Sequence, residues 1–290
     1  MEHFRFLDGR KYRLRLMNMA ALAPFEFSIN DHDFRVIAAD SEPLQPSDPI
    51  NTLLINAGQR YIIVQAKNAG DYSSSPTDSF WMRARALSGL PWTAGSVATA
   101  ELGFNDEALA IVHYKDEEGP EPTTTVCEDK TTVGEFDFMP LAPAGLPAVT
   151  TDRAQLQPLQ EPTEPPLFTI ASGLSTADLP ASANARAIEY GKHIEVVLVN
   201  DTNEQHPFHM HTHAPWVVGS GTASIKDVRS GNLPPLKLQG AMMRDVYTVP
   251  PCTTDANDDH KCVDIGYLVL RFTADNPGAW IMHCHIDWQA

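Results

Sequence analysis

The sequence predicts an all-β protein of two domains joined by a long, proline-rich connection. Three observations predict it. Short segments rich in Val, Ile and Phe recur along both ends of the chain, punctuated by Gly, Pro, Asn and Asp. No long segment with a helical hydrophobic period interrupts them. Residues 116–165 break the pattern with a stretch dense in Pro, Thr, Glu and Ala, a composition that rarely builds a core. The 290 residues are ample for two buried cores.

The first domain is expected over residues 1–115. Residues 11–17 alternate, with Tyr12, Leu14 and Leu16 on one face and Lys11, Arg13 and Arg15 on the other. That basic run reads as the solvated face of a strand. Further strands are expected at Phe25–Ile29, Phe34–Ala38, Asn51–Ile55, Arg60–Ala66, Phe80–Ala86 and Ala108–Tyr114. This spacing fits a β-sandwich or barrel. Residues 116–165 open with Asp116, Glu117, Glu118, Gly119 and Pro120 and read as a connection lying across the surface, with a short helix near Arg153–Gln157. Their acidic residues serve solvation.

The second domain is expected over residues 166–290. Strands are expected at Arg186–Tyr190, His193–Asn200, Arg244–Val249 and Tyr267–Phe272, with Ile194, Val196 and Leu198 alternating against Glu195 and Val197. A turn signal, Asp275-Asn276-Pro277-Gly278, leads into Trp280 and a terminal strand bearing His283, Cys284 and His285.

That terminal strand carries the chemistry. Side chains alternate along a strand, so Cys284 points to one face and His283 and His285 to the other. A second cluster, His206-Pro207-Phe208-His209-Met210-His211-Thr212-His213, puts four of the chain's 11 histidines in one short run. If it is extended, His209 and His211 share a face and His206 takes the opposite one. His206 can then pair with Cys284 at one metal, while His209 and His211 join His283 and His285 at another. A thiolate with imidazoles suits copper. Zinc is the alternative, but the paired spacings of closed zinc sites, Cys-x-x-Cys or His-Glu-x-x-His, do not occur. His213 lies one strand step beyond and reads as a supporting residue. His3, His32, His113, His193 and His260 read as structural.

The two clusters, HPFHMHTH followed by Trp216-Val217-Val218 and then DNPGAWIMHCHIDW, resemble the C-terminal copper motifs of laccases and related multicopper oxidases, the fungal type above all. Gly9–Asn18, Phe27–His32 and Ala57–Tyr61 resemble the middle domain of that family. The resemblance implies two cupredoxin-like Greek-key β-sandwich domains, the first without copper ligands. It implies that Cys284 and His206 bind a type 1 copper, His209 a type 2 copper, and His211, His283 and His285 a type 3 pair. It implies one-electron oxidation of phenols or aromatic amines, with dioxygen reduced to water and electrons passing through Cys284 to its flanking histidines.

Two departures from the family pattern stand out. The family's first domain supplies two His-x-His motifs to the trinuclear cluster, and residues 1–200 contain neither. The chain is therefore expected to correspond to the middle and C-terminal domains. The family also has a type 1 histidine five residues after the Cys, where this sequence has Gln289, one residue before the last, Ala290. A glutamine oxygen is a weak copper ligand. Low copper content and little or no blue colour are the expectation for the chain alone. The alternatives are a non-catalytic copper-binding β protein and a subunit completed by a partner.

The formal net charge of −16 argues against nucleic acid and anionic membranes as partners. No signal peptide or membrane-length apolar run is visible. An extracellular location follows from the resemblance. Of the four cysteines, Cys252 and Cys262 flank a polar loop that a disulfide would close into a hairpin, two reduced thiols being the alternative. Cys127 has no evident partner. Asn200-Asp201-Thr202 is a glycosylation sequon.

Overall fold

A computed structural model of the chain describes residues 1–7, 9–66, 79–87, 106–114, 121–123, 125, 129–149, 154–155, 170, 173, 175, 179 and 183–286. The chain divides into two compact units, Met1–Pro143 with Cys284–Ala290, and Ala144–His283.

The first unit is built from β1 (Glu2–Arg5), β2 (Arg13–Met17), β3 (Phe25–Ile29), β4 (Phe34–Ala39), β5 (Glu42–Pro43), β6 (Thr52–Ile55), β7 (Arg60–Gln65), β8 (Ser79–Ala86) and β9 (Glu107–His113). One sheet runs β1-β9-β8-β3-β6 and the other β2-β7-β4-β5. Alternation sets the buried faces: along β7, Tyr61, Ile63 and Gln65 are buried while Arg60, Ile62 and Val64 are half-exposed. The sheets meet where Phe27 of β3 lies 5.9 Å from Phe34 of β4, ring to ring. The basic residues Arg13 and Arg15 are exposed and Leu14 and Leu16 half-buried, as the alternation predicts.

Residues 129–143, which composition places in the connection, instead pack on this unit. Thr131 O accepts the N–H groups of Asn51 and Thr52, and Phe138 is 3% exposed, its ring 5.8 Å from Tyr61. Backbone hydrogen bonds and a buried aromatic side chain together dock this polar segment. The remaining connection residues, including Cys127, lie largely outside the described residues.

The second unit holds β10 (Ala154–Gln155), β11 (His193–Asn200), β12 (His206–Met210), β13 (Trp216–Ala223), the helix α1 (Ile225–Ser230), β14 (Val246–Val249), β15 (Thr253–Asp255), β16 (Asp258–Thr273) and all but the last residue of β17 (Met282–Cys284), Cys284 being counted with the first unit. One sheet runs β10-β11-β16-β13, with β15 pairing onto β16, and a second runs β14-β12-β17. Val197, Val218, Val228, Tyr267 and Val269 form the core between the first sheet and α1. Ser224 caps α1 through a bond to Asp227 N, and Gly231 ends it at φ 73°.

Several expectations are corrected here. Ala154 and Gln155 form a strand parallel to β11 rather than part of a helix; the rest of Arg153–Gln157 is outside the described residues. Arg186–Tyr190 is exposed and not a strand. Its alternation finds no neighbouring strand to pair with. β11 is buried on both faces, and Glu195 is 3% exposed because Arg271 donates to it through Nε and Nη2, each at 2.9 Å. Such a buried carboxylate needs that partner. The disulfide expected between Cys252 and Cys262 is present and closes the β15–β16 hairpin, with Cα atoms 5.6 Å apart. Among the described residues, no helix is long and apolar enough to cross a membrane.

Candidate metal centre

β12 lies between β14 and β17, which places the histidine cluster beside the His-Cys-His strand. The pairing of His209 with Val246 on β14 and the bond from His211 N to Ile281 O, 3.0 Å, hold both edges. His209 and His211 fall on one side, their rings 4.8 Å apart. His283 brings a third ring, 5.8 Å from His209 and 5.2 Å from His211. The Nε2 atoms of His211 and His283 are 3.2 Å apart.

The proton positions follow from the partners. His209 Nδ1 is 2.9 Å from the Asp245 carbonyl, which can only accept, so Nδ1 carries the hydrogen and Nε2 the lone pair. This is how a carbonyl orients a metal-binding imidazole. Burial, reinforced by neighbouring His209, lowers the pKa of His211 and favours its neutral form, the form an imidazole needs to bind a metal. The donor set passes a test of fit to a metal: two imidazole–metal bonds of about 2.0–2.1 Å put cis nitrogens about 3 Å apart, the separation seen between His211 and His283. Among the described residues, however, no three His, Cys, Asp or Glu side chains are arranged around a single ion position.

Cys284 is 5% exposed. Burial pushes its thiol up to about 11, with the Ile286 N–H pulling the other way. Such a thiol is protonated near neutrality and becomes a thiolate when a cation replaces the proton. His285 follows against Gly58, where a Cβ would stand 2.3 Å from the His285 ring. Gly58 has φ +77°, in the turn between β6 and β7. His206 makes a separate contact: its Nε2 is 3.0 Å from the Thr202 hydroxyl.

His213 is carried away from the other rings. Thr212 adopts φ 63°, which ends the extended run, and His213 sits edge-on to Phe272 with its Nε2 3.8 Å from Asp275. Gln289 lies outside the described residues. Of the remaining histidines, His3 and His113 are not isolated. His3 Nδ1 meets His113 Nε2 at 2.8 Å, and Ser79 Oγ meets His113 Nδ1 at 2.9 Å. Their near-coplanar rings, 5.1 Å apart, make this an edge-to-edge hydrogen bond. His32 is buried between Asn30 O and the Tyr114 hydroxyl, and burial lowers its pKa to about 4. Both clusters pin strands together.

Sequence reasoning missed Thr202, Asp245 and Gly58. Asp245 acts through its backbone and Gly58 through a contact distant in sequence, and neither leaves a local signal. Thr202 was visible only as part of the sequon.

Comparison with known proteins adds to this geometry. Two family profiles, both described as multicopper oxidase, match residues 1–117 and 154–290. Laccase-1 of Botryotinia fuckeliana is 29% identical over 306 residues, covering 98% of this chain and 48% of its own length. The iron transport multicopper oxidase fio1 of Schizosaccharomyces pombe is 28% identical over 303 residues, covering 98% and 45%. The iron multicopper oxidase fer1 of Mycosarcoma maydis is 30% identical over 311 residues, covering 97% and 45%. The chain spans about half the length of the curated relatives it matches. Among solved structures, a laccase from Botrytis aclada aligns with a TM-score of 0.72 at 25% identity, covering 99% of this chain and 51% of that one. Fet3p, described as a multicopper oxidase that functions in iron import, aligns with a TM-score of 0.70 at 21% identity, covering 99% and 55%, and shows the likeness of fold.

Proposed function

This chain belongs to the multicopper oxidase family, with a cupredoxin-like all-β fold and copper as the family's cofactor, and we propose that it carries the electron-entry side of a laccase-type oxidase. The observation that carries this reading is the clustering of the His209, His211 and His283 rings, with centroids 4.8, 5.8 and 5.2 Å apart, beside Cys284, the next residue in the chain. In this proposal Cys284 and His206 hold a type 1 copper, His209 a type 2 copper, and His211, His283 and His285 a type 3 pair. Bound copper would supply one-electron redox chemistry, with four one-electron oxidations of substrate and four protons balancing the conversion of one dioxygen to two waters.

The chain's own residues do the rest. The Asp245 carbonyl turns the His209 lone pair inward. β12 and β17 bring the Nε2 atoms of His211 and His283 to 3.2 Å from each other. Burial of Cys284 keeps water from its sulfur. His283, Cys284 and His285 are joined by successive peptide bonds, so the backbone is the shortest covalent link between the two ligand sets. The reducing substrates in this reading are phenols and aromatic amines. The disulfide between Cys252 and Cys262 supports an extracellular location.

A second reading, oxidation of iron(II), is favoured by relatives named as iron multicopper oxidases at the same level of identity as the laccases. A third is a copper-binding protein without turnover. Oxygen uptake by the copper-loaded protein separates them. Uptake with a phenol, abolished in Cys284→Ser, supports the laccase reading; uptake with iron(II) alone supports the second. Undiminished turnover in Cys284→Ser contradicts the proposed electron path.

A further inference from the structure

Just ahead of His206, the end of β11 folds into a turn whose hydrogens can all be assigned. Asn200 is 5% exposed. Its Nδ2 lies 2.5 Å from Glu204 O and 3.0 Å from Pro250 O. Carbonyl oxygens only accept, so both partners require an NH2 group there. Its Oδ1 accepts the Thr202 N–H at 2.9 Å, which requires an oxygen. The amide orientation is therefore determined by its contacts.

The rest follows by donor and acceptor. The Thr202 hydroxyl is 2.7 Å from Asn200 Oδ1, which has no hydrogen to give, so the hydroxyl donates to it. The other oxygen near the hydroxyl, Glu204 O at 3.5 Å, is likewise an acceptor. The hydroxyl oxygen thus faces His206 Nε2, 3.0 Å away, as an acceptor. The hydrogen in that bond belongs to Nε2, and the ring's lone pair belongs to Nδ1.

We propose that Asn200 and Thr202 form a positioning relay that holds His206 as its Nε2–H tautomer, presenting Nδ1 as the ligating nitrogen. The purpose rests on the copper reading of His206; the tautomer does not. The turn has a rigid footing. Cys252 N donates to Thr202 O at 2.8 Å, which ties the turn to the disulfide hairpin. Pro250 O reaches Asn200 because Gly266, the register partner of Asn200, has no side chain: a Cβ there would stand 1.9 Å from that oxygen. The relay also uses both amide hydrogens of Asn200, so the sequon is not open to glycosylation once the chain is folded.

The test uses Thr202→Val, which keeps the shape and removes the hydroxyl, and Thr202→Ser, which keeps the hydroxyl. In metal-free protein, long-range proton–nitrogen NMR reads the His206 tautomer. Wild type and Thr202→Ser are expected to show Nε2–H alone, and Thr202→Val a measurable Nδ1–H population. Copper(II) titration against a competing chelator is expected to show roughly ten-fold weaker binding for Thr202→Val and near wild-type binding for Thr202→Ser. An Nδ1–H tautomer in the wild type overturns the proposal, as does an unchanged tautomer and affinity in Thr202→Val. A wild type that binds no copper counts against the copper reading instead, and the NMR result then decides the relay by itself.

Discussion

The Nε2 atoms of His211 and His283 face each other across 3.2 Å, from strands 72 residues apart in the chain. Two nitrogens so placed can hold one ion between them. His211→Ala and His283→Ala should therefore each remove the same copper, and the double variant should lose no more than either single one. Metal content per chain checks this; additive losses would assign the two histidines to different ions.

Gly58 should prove as sensitive as a ligand. Its φ of +77° strains any other residue, and a Cβ would overlap the His285 ring at 2.3 Å. Gly9, at φ +70° with nothing within 4 Å, isolates the backbone cost. Gly9→Ala should destabilise by about 1 kcal/mol and Gly58→Ala by about 2–4 kcal/mol. Urea denaturation of both variants measures the difference.

The buried His32 makes stability depend on pH. Its folded pKa is lowered from 6.5 to about 4, so the unfolded chain takes up a proton first as pH falls. Its contribution is whole above about pH 6.5 and lost progressively toward pH 4, a change on the order of 3 kcal/mol. His32→Phe should flatten this part of the profile, read by urea denaturation at pH 7 and 4.5.

Reduction of the Cys252–Cys262 disulfide opens a loop with a sequence separation of 10. A loop of that size corresponds to about 2–3 kcal/mol of stabilisation. Cys252→Ser with Cys262→Ser should lower the unfolding midpoint accordingly, read by chemical denaturation. Because Cys252 N also holds Thr202 O, the double variant should broaden the His206 ring resonances as well.

The particular residues show what a sequence discloses. Strands such as Phe25–Ile29 and Arg60–Gln65 were legible because each alternates between turn residues and finds neighbours on both sides. β13 was not, since two glycines and a serine interrupt the apolar run of Trp216–Ala223; Gly219 is needed where Leu236 and Val269 close in. Most of β16 was hidden because its first half is polar and extended by pairing with β15. Arg186–Tyr190 shows the converse, alternation without a partner. At the candidate metal centre, the density of His and Cys in two short runs made the candidate residues legible. The tautomers, the Asp245 carbonyl and the approach of Gly58 depend on contacts between distant residues, and the turn at Thr212 depends on one dihedral angle.

Copper K-edge X-ray absorption of the copper-loaded protein tests the central claim most directly, that Cys284 ligates a copper distinct from the one shared by His211 and His283. A short copper–sulfur shell is expected in the wild type, retained in His211→Ala and His283→Ala and absent in Cys284→Ser. A wild type without that shell, or a shell that survives in Cys284→Ser, would contradict it.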